Sequence, residues 1–166
     1  MKIRLILSFV FAIGLFANMN AQKFGYVNTQ ELLSQLPEVK EANANIEDLK
    51  KQLQKKGQSM VTALQAKYQD LDKRQNELSP KQLESEANLI RQEEQKIAEF
   101  EQSSQQKIIQ KSEELLAPIQ QKVQNAIDAV AKEKGYTYLF DASLGFILYA
   151  DPSTDVTTAV KAKLGI

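Results

Sequence analysis

The sequence predicts an α+β protein, mainly α, in which a long antiparallel helical hairpin is inserted into a small β-rich body. Residues 38–133 contain one Gly and two Pro, and nearly all other residues there are good helix formers. Short runs of aromatic and β-branched residues stand on both sides of this stretch. The polar middle is therefore expected to be helical, and the two ends are expected to form one body.

Residues 1–21 have the pattern of a secretory signal peptide. Lys2 and Arg4 precede an apolar run of about a dozen residues, and a short polar stretch then ends in Ala21. The run is shorter than the roughly 20 residues that a membrane-spanning helix needs. We therefore predict export with cleavage near Ala21, and the alternative is an uncleaved N-terminal anchor.

Charge and composition argue against several classes of function. Without residues 1–21 the chain has 19 Lys and Arg against 21 Asp and Glu, a net charge of −2, so no global basic character exists to recruit nucleic acid. The chain has no Cys and no His, which removes disulfides, the commonest zinc ligand and the commonest general base. The six Gly never cluster as a phosphate-binding loop requires. We predict no enzymatic activity, no metal and no cofactor.

The body is expected to begin with a strand and a capped helix. "KFGYV" is a β-type run, and either Asn28 or Thr29 can cap the helix "NTQELLSQL" that follows. Pro37 then either begins the next helix at its first position or kinks the two helices together.

The hairpin is predicted from one apolar stripe and one turn. The stripe of the first arm follows an 11-residue repeat, which favours a nearly straight or slightly right-handed path. Ser79, Pro80 and Gln82 have the pattern of a capping box, which places the tip of the hairpin near residues 78–80. Burial is expected to grow along the return arm, because its apolar residues become denser toward the end. The residues of the first stripe are Ile46, Leu49, Leu53, Met60, Leu64, Tyr68, Leu71 and Leu78.

Three features of the hairpin and body allow two interpretations each. Gly57 and Pro118 are either flex points of the arms or a tolerated defect and a fixed kink. The basic run "KKQLQKK" is either a contact for acidic headgroups or, as we prefer, a solvated helix face. Asp141, Asp151 and Asp155 either bind a divalent cation or, as we prefer, cap turns and helix starts.

The C-terminal part of the body is predicted to contain two strands and a helix. "YTYLF" (Tyr136 to Phe140) and "FILYA" (Phe146 to Ala150) are the strands, with Tyr136, Tyr138 and Phe140 on one face by alternation. A short helix then ends at Gly165. The body, residues 22–36 and 134–166, is too small to bury enough surface for a stable monomer, and the chain has no disulfide to compensate. Self-association is therefore expected.

The order of these segments resembles the Skp/OmpH family of periplasmic chaperones. The resemblance covers essentially the whole chain after the signal peptide, and its most specific part runs from Pro118 to Gly165, with "PIQQKVQNAIDAVAKEKGYTYLFDAS" and "ILYADPSTDVT". It implies a homotrimer in which strands of three chains form a central β-barrel and three hairpin arms enclose a cavity. It further implies an ATP-independent holdase that binds unfolded outer-membrane β-barrel proteins in the periplasm.

The resemblance transfers no individual binding residue, so candidate roles are assigned from the sequence pattern itself. The trimer body would use Phe24, Tyr26, Tyr136, Tyr138, Phe140, Phe146 and Leu148. Candidate client contacts are Met60, Leu64, Tyr68, Leu71, Ile97 and Phe100, for which the alternative is a seam between the two helices. One departure is that the best-known members are strongly basic, whereas this chain is slightly acidic, which leaves contact with membrane or lipopolysaccharide open. The alternative function is a structural or adaptor coiled-coil protein of the cell envelope.

Overall fold

The computed structural model describes residues 22–166, and the signal peptide predicted at residues 1–21 lies outside this range. The described chain is mainly helical, with one two-stranded sheet. None of its helices combines the length and hydropathy needed to cross a bilayer. The elements in chain order are β1 (Phe24–Val27), α1 (Thr29–Gln35), α2 (Pro37–Arg74), α3 (Pro80–Lys134), β2 (Tyr138–Asp141) and α4 (Thr157–Leu164).

The described residues divide into two compact units. The body unit runs from the start of the described chain to Leu32 and resumes at Gln124–Ile166, and the hairpin unit is Leu33–Val123. The last part of α3 falls within the body unit, and three of its residues there, Ala126, Ile127 and Val130, are each less than one-tenth exposed.

The sheet of the body unit is parallel, and its two strands come from either side of the helical hairpin in the sequence. Phe24 lies opposite Tyr138, and Val27 lies opposite Asp141. A parallel pair needs a long crossover connection, and here the whole hairpin supplies it. On its other edge β1 makes a bridge to Asp155, where the amide of Val156 donates to the carbonyl of Tyr26 at 2.9 Å. β1 is therefore hydrogen-bonded on both edges, to β2 on one and to the segment at Asp155 and Val156 on the other.

The helices of the body unit begin and end at the predicted residues. Asn28, not Thr29, caps α1, because its Oδ1 accepts a hydrogen bond from the amide of Glu31 at 3.0 Å. Gly165 ends α4 in the left-handed conformation, with φ 80°, which confirms its predicted role. Leu32 and Val160 are fully buried, at 0 % exposure, and they form the centre of a small core with Val156.

Both long helices of the hairpin unit begin at a proline. Pro37 is the first residue of α2, as one of its two predicted interpretations has it, and the preceding Leu36 supplies no side-chain cap. The amide of Ser79 donates to Oε1 of Gln82 at 2.9 Å, and the amide of Gln82 donates to Oγ of Ser79 at 3.4 Å, so the capping box is confirmed. The turn lies between Arg74 and Pro80, which contains the predicted tip.

The apolar stripe of the hairpin unit is present but is mostly half-buried. Ala42 and Ile46 are buried on α2, and the later stripe residues, from Leu49 to Leu78, are intermediate in exposure. Tyr68 departs from the stripe and is 46 % exposed. On α3 the burial grows toward Ile119 and Val123 as predicted, with Ile90 as an additional buried residue nearer the turn.

Candidate functional site

An aromatic face covers one side of the two-stranded sheet. The ring of Phe24 stacks on the ring of Tyr138, with centroids 5.6 Å apart and planes 12° apart, and the ring centroid of Phe140 lies 6.3 Å from that of Phe24. Parallel register places these three side chains on one face. All three are close to half exposed, so the described chain leaves this aromatic face uncovered. We call Phe24, Tyr138 and Phe140 the aromatic face.

The segment Phe146–Ala150 is not a strand in this structure, so the predicted hairpin of two strands is wrong for the single chain. β2 pairs with β1 instead, and the segment has no ladder of its own. Phe146, Leu148 and Tyr149 are 83 %, 98 % and 86 % exposed. A strand needs a hydrogen-bonded neighbour, and the described chain offers none here. We call residues 146–150 the open segment; its Ile147 and Tyr149 line a depression of about 280 Å³ beside β1.

Tyr136 lies on the face of the sheet opposite to the aromatic face, which corrects the predicted alternation. It precedes β2, which starts only at Tyr138. A Cβ placed on Gly25 would lie 2.6 Å from Cε1 of Tyr136 and 2.9 Å from Cδ2 of Leu139. The ring of Tyr136 therefore packs over Gly25, where Nζ of Lys23 also stands 4.3 Å from the ring centroid. Only a residue without a side chain fits at position 25.

The residues predicted as client contacts lie along the two facing stripes of the hairpin unit. Met60, Leu64, Leu71, Ile97 and Phe100 are all intermediate in exposure, which is typical of a narrow seam between two helices. A seam of this kind contributes to the stability of the hairpin and still leaves part of each side chain accessible.

Tyr68 is held outside the seam by polar contacts with α3. Its hydroxyl donates to Oε1 of Glu94 at 2.6 Å, and this hydrogen bond raises the pKa of Tyr68. The neighbouring Lys67 forms an ion pair of 3.2 Å with Glu93. The hydrogen bonds from Lys67 and Lys96 hold the pKa of Glu93 below its usual value. This part of the hairpin is thus connected by polar links that the apolar pattern did not predict.

A groove opens beside the seam where Gly57 faces Phe100. It has a volume of about 830 Å³ and is lined by residues of both helices, among them Leu53, Val61 and Ile108. Gly57 lies beside the edge of the Phe100 ring without crowding it, since an added Cβ would stand at an ordinary contact distance, 3.5 Å from Cε1. Ser104 also lines the groove, and its buried Oγ has no hydrogen-bond partner among the described residues.

The two predicted flex points lie within continuous helices. Gly57 is an interior residue of α2, and Pro118 is an interior residue of α3. Pro118 is exposed, and Gly57 contributes the open side of the groove. The absence of a side chain at Gly57 therefore shapes the groove, whether or not the helix bends there.

The model of the family of outer membrane proteins described as OmpH-like matches residues 23–164, which include both units. The chain belongs to the OmpH-like family. The matched range of this OmpH-like chain includes β1, the aromatic face, the groove and the open segment. It ends at Leu164, the last residue of α4.

Two relatives are similar over most of their length. The chaperone protein Skp of Yersinia enterocolitica is 28 % identical over 148 residues, which cover 87 % of each chain. A crystal structure of an OmpH-like protein from Caulobacter crescentus superposes with a TM-score of 0.74 at 19 % identity, covering 86 % of this chain and 83 % of the other. The structural similarity shows that the two proteins share a fold.

The three aspartates near the turns of the OmpH-like chain are caps, as we preferred. Oδ1 of Asp151 accepts from the amide of Ser153 at 2.9 Å, and Oδ1 of Asp155 accepts from the amide of Thr157 at 2.8 Å. No group of three or more carboxylates within residues 22–166 is arranged to hold a metal ion.

Partial burial and the nearby Asp155 and Asp151 raise the pKa of Tyr26, which lies beside them.

Asp141 accepts three hydrogen bonds, two from Thr29 and one from Ser143. Oγ1 of Thr29 donates to its Oδ2 at 2.5 Å, and the amide of Ser143 donates to its Oδ1 at 2.9 Å. Partial burial by itself raises the pKa of Asp141, but the hydrogen bonds from Thr29 and Ser143 outweigh it, so the pKa lies below its usual value. Asp141 therefore ties the end of β2 to the start of α1.

The groove was not predicted from the sequence. The signal was present on α3, because Ile97, Phe100 and Ile108 mark a stripe on which Ser104 occupies a position suited to an apolar residue. A serine on such a stripe indicates either a close approach of two helices or a polar site. Only the position of Gly57 across from Phe100 shows that the surface is open there.

Proposed function

We propose that the protein is an ATP-independent periplasmic holdase chaperone that binds unfolded outer-membrane β-barrel proteins and keeps them from aggregating. The observation that carries this proposal is the family match over residues 23–164, and a separate relative, 28 % identical, is named as a chaperone. The signal peptide predicted at residues 1–21 supports a periplasmic location.

The proposed assembly is a homotrimer with a shared β-barrel, and the exposed apolar groups of the body unit support it. Large apolar patches on a soluble protein mark interaction sites, and here the aromatic face and the open segment lie close together. The open segment has free backbone groups suited to pairing with another chain. Strands from neighbouring copies would give it the partner that one chain does not supply.

The hairpin units are proposed to hold the client between the arms of the trimer. Their stripes present half-buried apolar side chains separated by polar ones, including Met60, whose flexible side chain adapts to different partners. Many weak contacts inside an enclosed space would give a high effective concentration without deep burial of the client. A client held in this way can be released without nucleotide hydrolysis.

The direct test is aggregation of an unfolded outer-membrane barrel diluted from urea, followed by light scattering. The mature protein is expected to suppress scattering at a stoichiometry near one trimer per client. Scattering that stays unchanged at a large excess of the protein would overturn the holdase proposal. Crosslinking to a single folded partner, with no unfolded clients, would instead favour the adaptor function.

The trimer is tested by sedimentation equilibrium of the mature protein. We expect a trimer, and we expect Leu148→Glu in the open segment to shift the distribution toward monomer, because a charge would be buried in the assembled barrel. The matched control is Ile109→Glu, which introduces the same charge at an exposed residue of the hairpin unit. A wild-type monomer at micromolar concentration would contradict the trimer and the shared barrel together.

A further inference from the structure

The groove beside Gly57 has an apolar floor that an aromatic side chain fits. Leu53 and Val61 of α2 and Phe100 of α3 contribute to this floor. Aromatic rings pair favourably at offset or edge-to-face geometry, and the accessible edge of Phe100 offers such a contact. The volume of about 830 Å³ falls within the range of sites that take a small ligand or a few side chains.

Ser104 supplies an unused polar group in the same groove. The residue is 9 % exposed, and its hydroxyl has no partner among the described residues. A buried hydroxyl without a hydrogen bond is unfavourable, and such groups are uncommon in folded proteins. The neighbouring Ser103 differs, because its hydroxyl donates to the carbonyl of Phe100 at 3.0 Å. A ligand with a polar end would satisfy Ser104, whereas an alkyl chain would leave it unpaired.

The rim of the groove carries side chains that suit a peptide backbone. Four glutamine side chains line it, two from each helix, and each amide group both donates and accepts hydrogen bonds. An extended peptide presents the same combination of donors and acceptors. The four are Gln54, Gln58, Gln102 and Gln105.

The α2 side of the groove is positively charged. Between Asp48 and Asp70 the sequence has five lysines and no Asp or Glu, although the whole chain has no net charge. Lys50 lines the groove, and Nζ of Lys56 stands 5.2 Å from the centroid of the Phe100 ring. Neither lysine forms an ion pair with any residue in the range 22–166. The carboxylate that lines the groove, Glu101, lies on α3, so a negative charge is favoured on the α2 side.

We propose that this groove binds a tyrosine side chain of an unfolded client, with an acidic client residue next to that tyrosine on the α2 side. The ring would lie on Phe100 over Gly57, and a rotation of the Ser104 side chain would bring its buried hydroxyl to the phenol oxygen. The acidic residue would meet Lys50 and Lys56. This inference rests on the proposed chaperone function and gives it a local sequence preference. The acyl chain of a lipid fits the floor but not Ser104, which is why a peptide is favoured.

The first experiment measures fluorescence anisotropy of short labelled peptides with the mature protein. The probe has one Tyr flanked by Asp, and its matched versions carry Phe in place of Tyr or Lys in place of Asp. Ser104→Ala is expected to weaken binding of the Tyr peptide about fivefold and to leave binding of the Phe peptide unchanged. Equal losses for both peptides, or no loss for either, would overturn the assignment of Ser104.

The second experiment closes the groove. Gly57→Leu should reduce binding of the Tyr peptide by about tenfold or more, whereas Gln65→Leu, which places the same side chain at an exposed position of α2 outside the groove, should bind as the wild type does. Leucine is a good helix former, so far-UV circular dichroism is expected to show intact helices for both variants. If Gly57→Leu folds and binds the Tyr peptide as the wild type does, the peptide site lies elsewhere.

The third experiment separates peptide from membrane and tests the charges. Replacing Lys50 and Lys56 by Gln should weaken binding of the Asp-flanked peptide about fivefold and leave binding of the Lys-flanked peptide unaffected. Phosphatidylglycerol vesicles that bind in a Lys50-dependent way, with no binding of the Tyr peptide, would show a lipid surface and overturn the proposal. If the wild type and every groove variant suppress client aggregation equally, the groove proposal is overturned. The proposed chaperone function would then still hold.

Discussion

The body unit and the hairpin unit keep their residues in place by different means. In the body unit, side chains such as Leu32 and Val160 are completely buried, and Gly25 is enclosed by Tyr136, Leu139 and the carbonyl of Thr154. In the hairpin unit, most stripe residues are only half-buried, and a Cβ added to Gly57 would meet Phe100 at an ordinary contact distance. Burial sets the cost of a substitution, so equal changes should have unequal effects in the two units.

The largest effect is expected from Leu32→Ala in the body unit. Because Leu32 is at 0 % exposure, its truncation should lower the free energy of unfolding by about 2–5 kcal/mol. The matched change in the hairpin unit, Leu64→Ala, removes a half-buried side chain and should cost about half as much. Urea denaturation at one fixed protein concentration measures both. Equal losses would show that the units do not differ in packing.

Gly25→Ala is the next largest expected change. The added Cβ would stand 2.6 Å from Cε1 of Tyr136 and 2.9 Å from the backbone oxygen of Thr154, which cannot swing aside as a side chain can. Overpacking of this kind costs about 1–3 kcal/mol. Tyrosine fluorescence is the suitable probe, since four of the five tyrosines lie in the body unit. An unchanged unfolding midpoint would mean that the β1 region is looser than described.

Asp141→Asn tests the polar link between β2 and α1. Its hydrogen bonds with Thr29 and Ser143 should make the replacement cost about 1–2 kcal/mol at neutral pH. The pKa of Asp141 is depressed in the folded state, so the unfolded state binds the proton first as the pH falls. The carboxylate therefore contributes its stability above the unfolded pKa of about 4 and loses it below that value.

The measurement for Asp141 is the unfolding midpoint of wild type and variant from neutral pH down to pH 3. The gap between the two proteins should be widest near neutrality and should shrink as the folded carboxyl takes up its proton. Asp48→Asn, on the exposed surface of the hairpin unit, is the matched control and should show no comparable gap. A gap that widens toward acid would contradict the sign of the pKa shift.

Gly57→Ala should have the smallest effect and the opposite sign. The new Cβ meets Phe100 at the ordinary contact distance of 3.5 Å, and alanine is the better helix former, so the hairpin should gain about 0.5–1 kcal/mol. Thermal unfolding followed by circular dichroism measures the gain, because most of the helix lies in α2 and α3. Paired with Gly25→Ala, this result checks the comparison directly, since one replacement is made in each unit. A loss of stability would mean that Gly57 is enclosed as Gly25 is.

Local signals in the sequence predicted the helical part of the fold well. Residues 38–133 have helix-forming composition, and Ser79, Pro80 and Gln82 fixed the turn because a capping box uses only neighbouring residues. Asn28, Gly165 and the capping aspartates are local in the same sense. These predictions needed no knowledge of distant parts of the chain.

Strand pairing and the faces of the sheet were the parts that the sequence did not predict. "YTYLF" and "FILYA" are close in sequence and have strand composition, so an antiparallel hairpin was the simplest expectation. In the structure β2 pairs with β1, more than one hundred residues away, and Tyr136 packs over Gly25 on the opposite face. Composition cannot distinguish a near partner from a distant one, because both satisfy the same backbone hydrogen bonds.

The sequence by itself determined where helices begin, turn and end, because caps, proline positions and apolar spacing act over a few residues. The tertiary structure decided which strand lies beside β1, why Gly25 has no side chain, and that Gly57, Phe100 and Ser104 form one groove. Those features depend on contacts between residues far apart in the chain. Such contacts arise only when the whole chain is packed, and no short stretch of sequence encodes them.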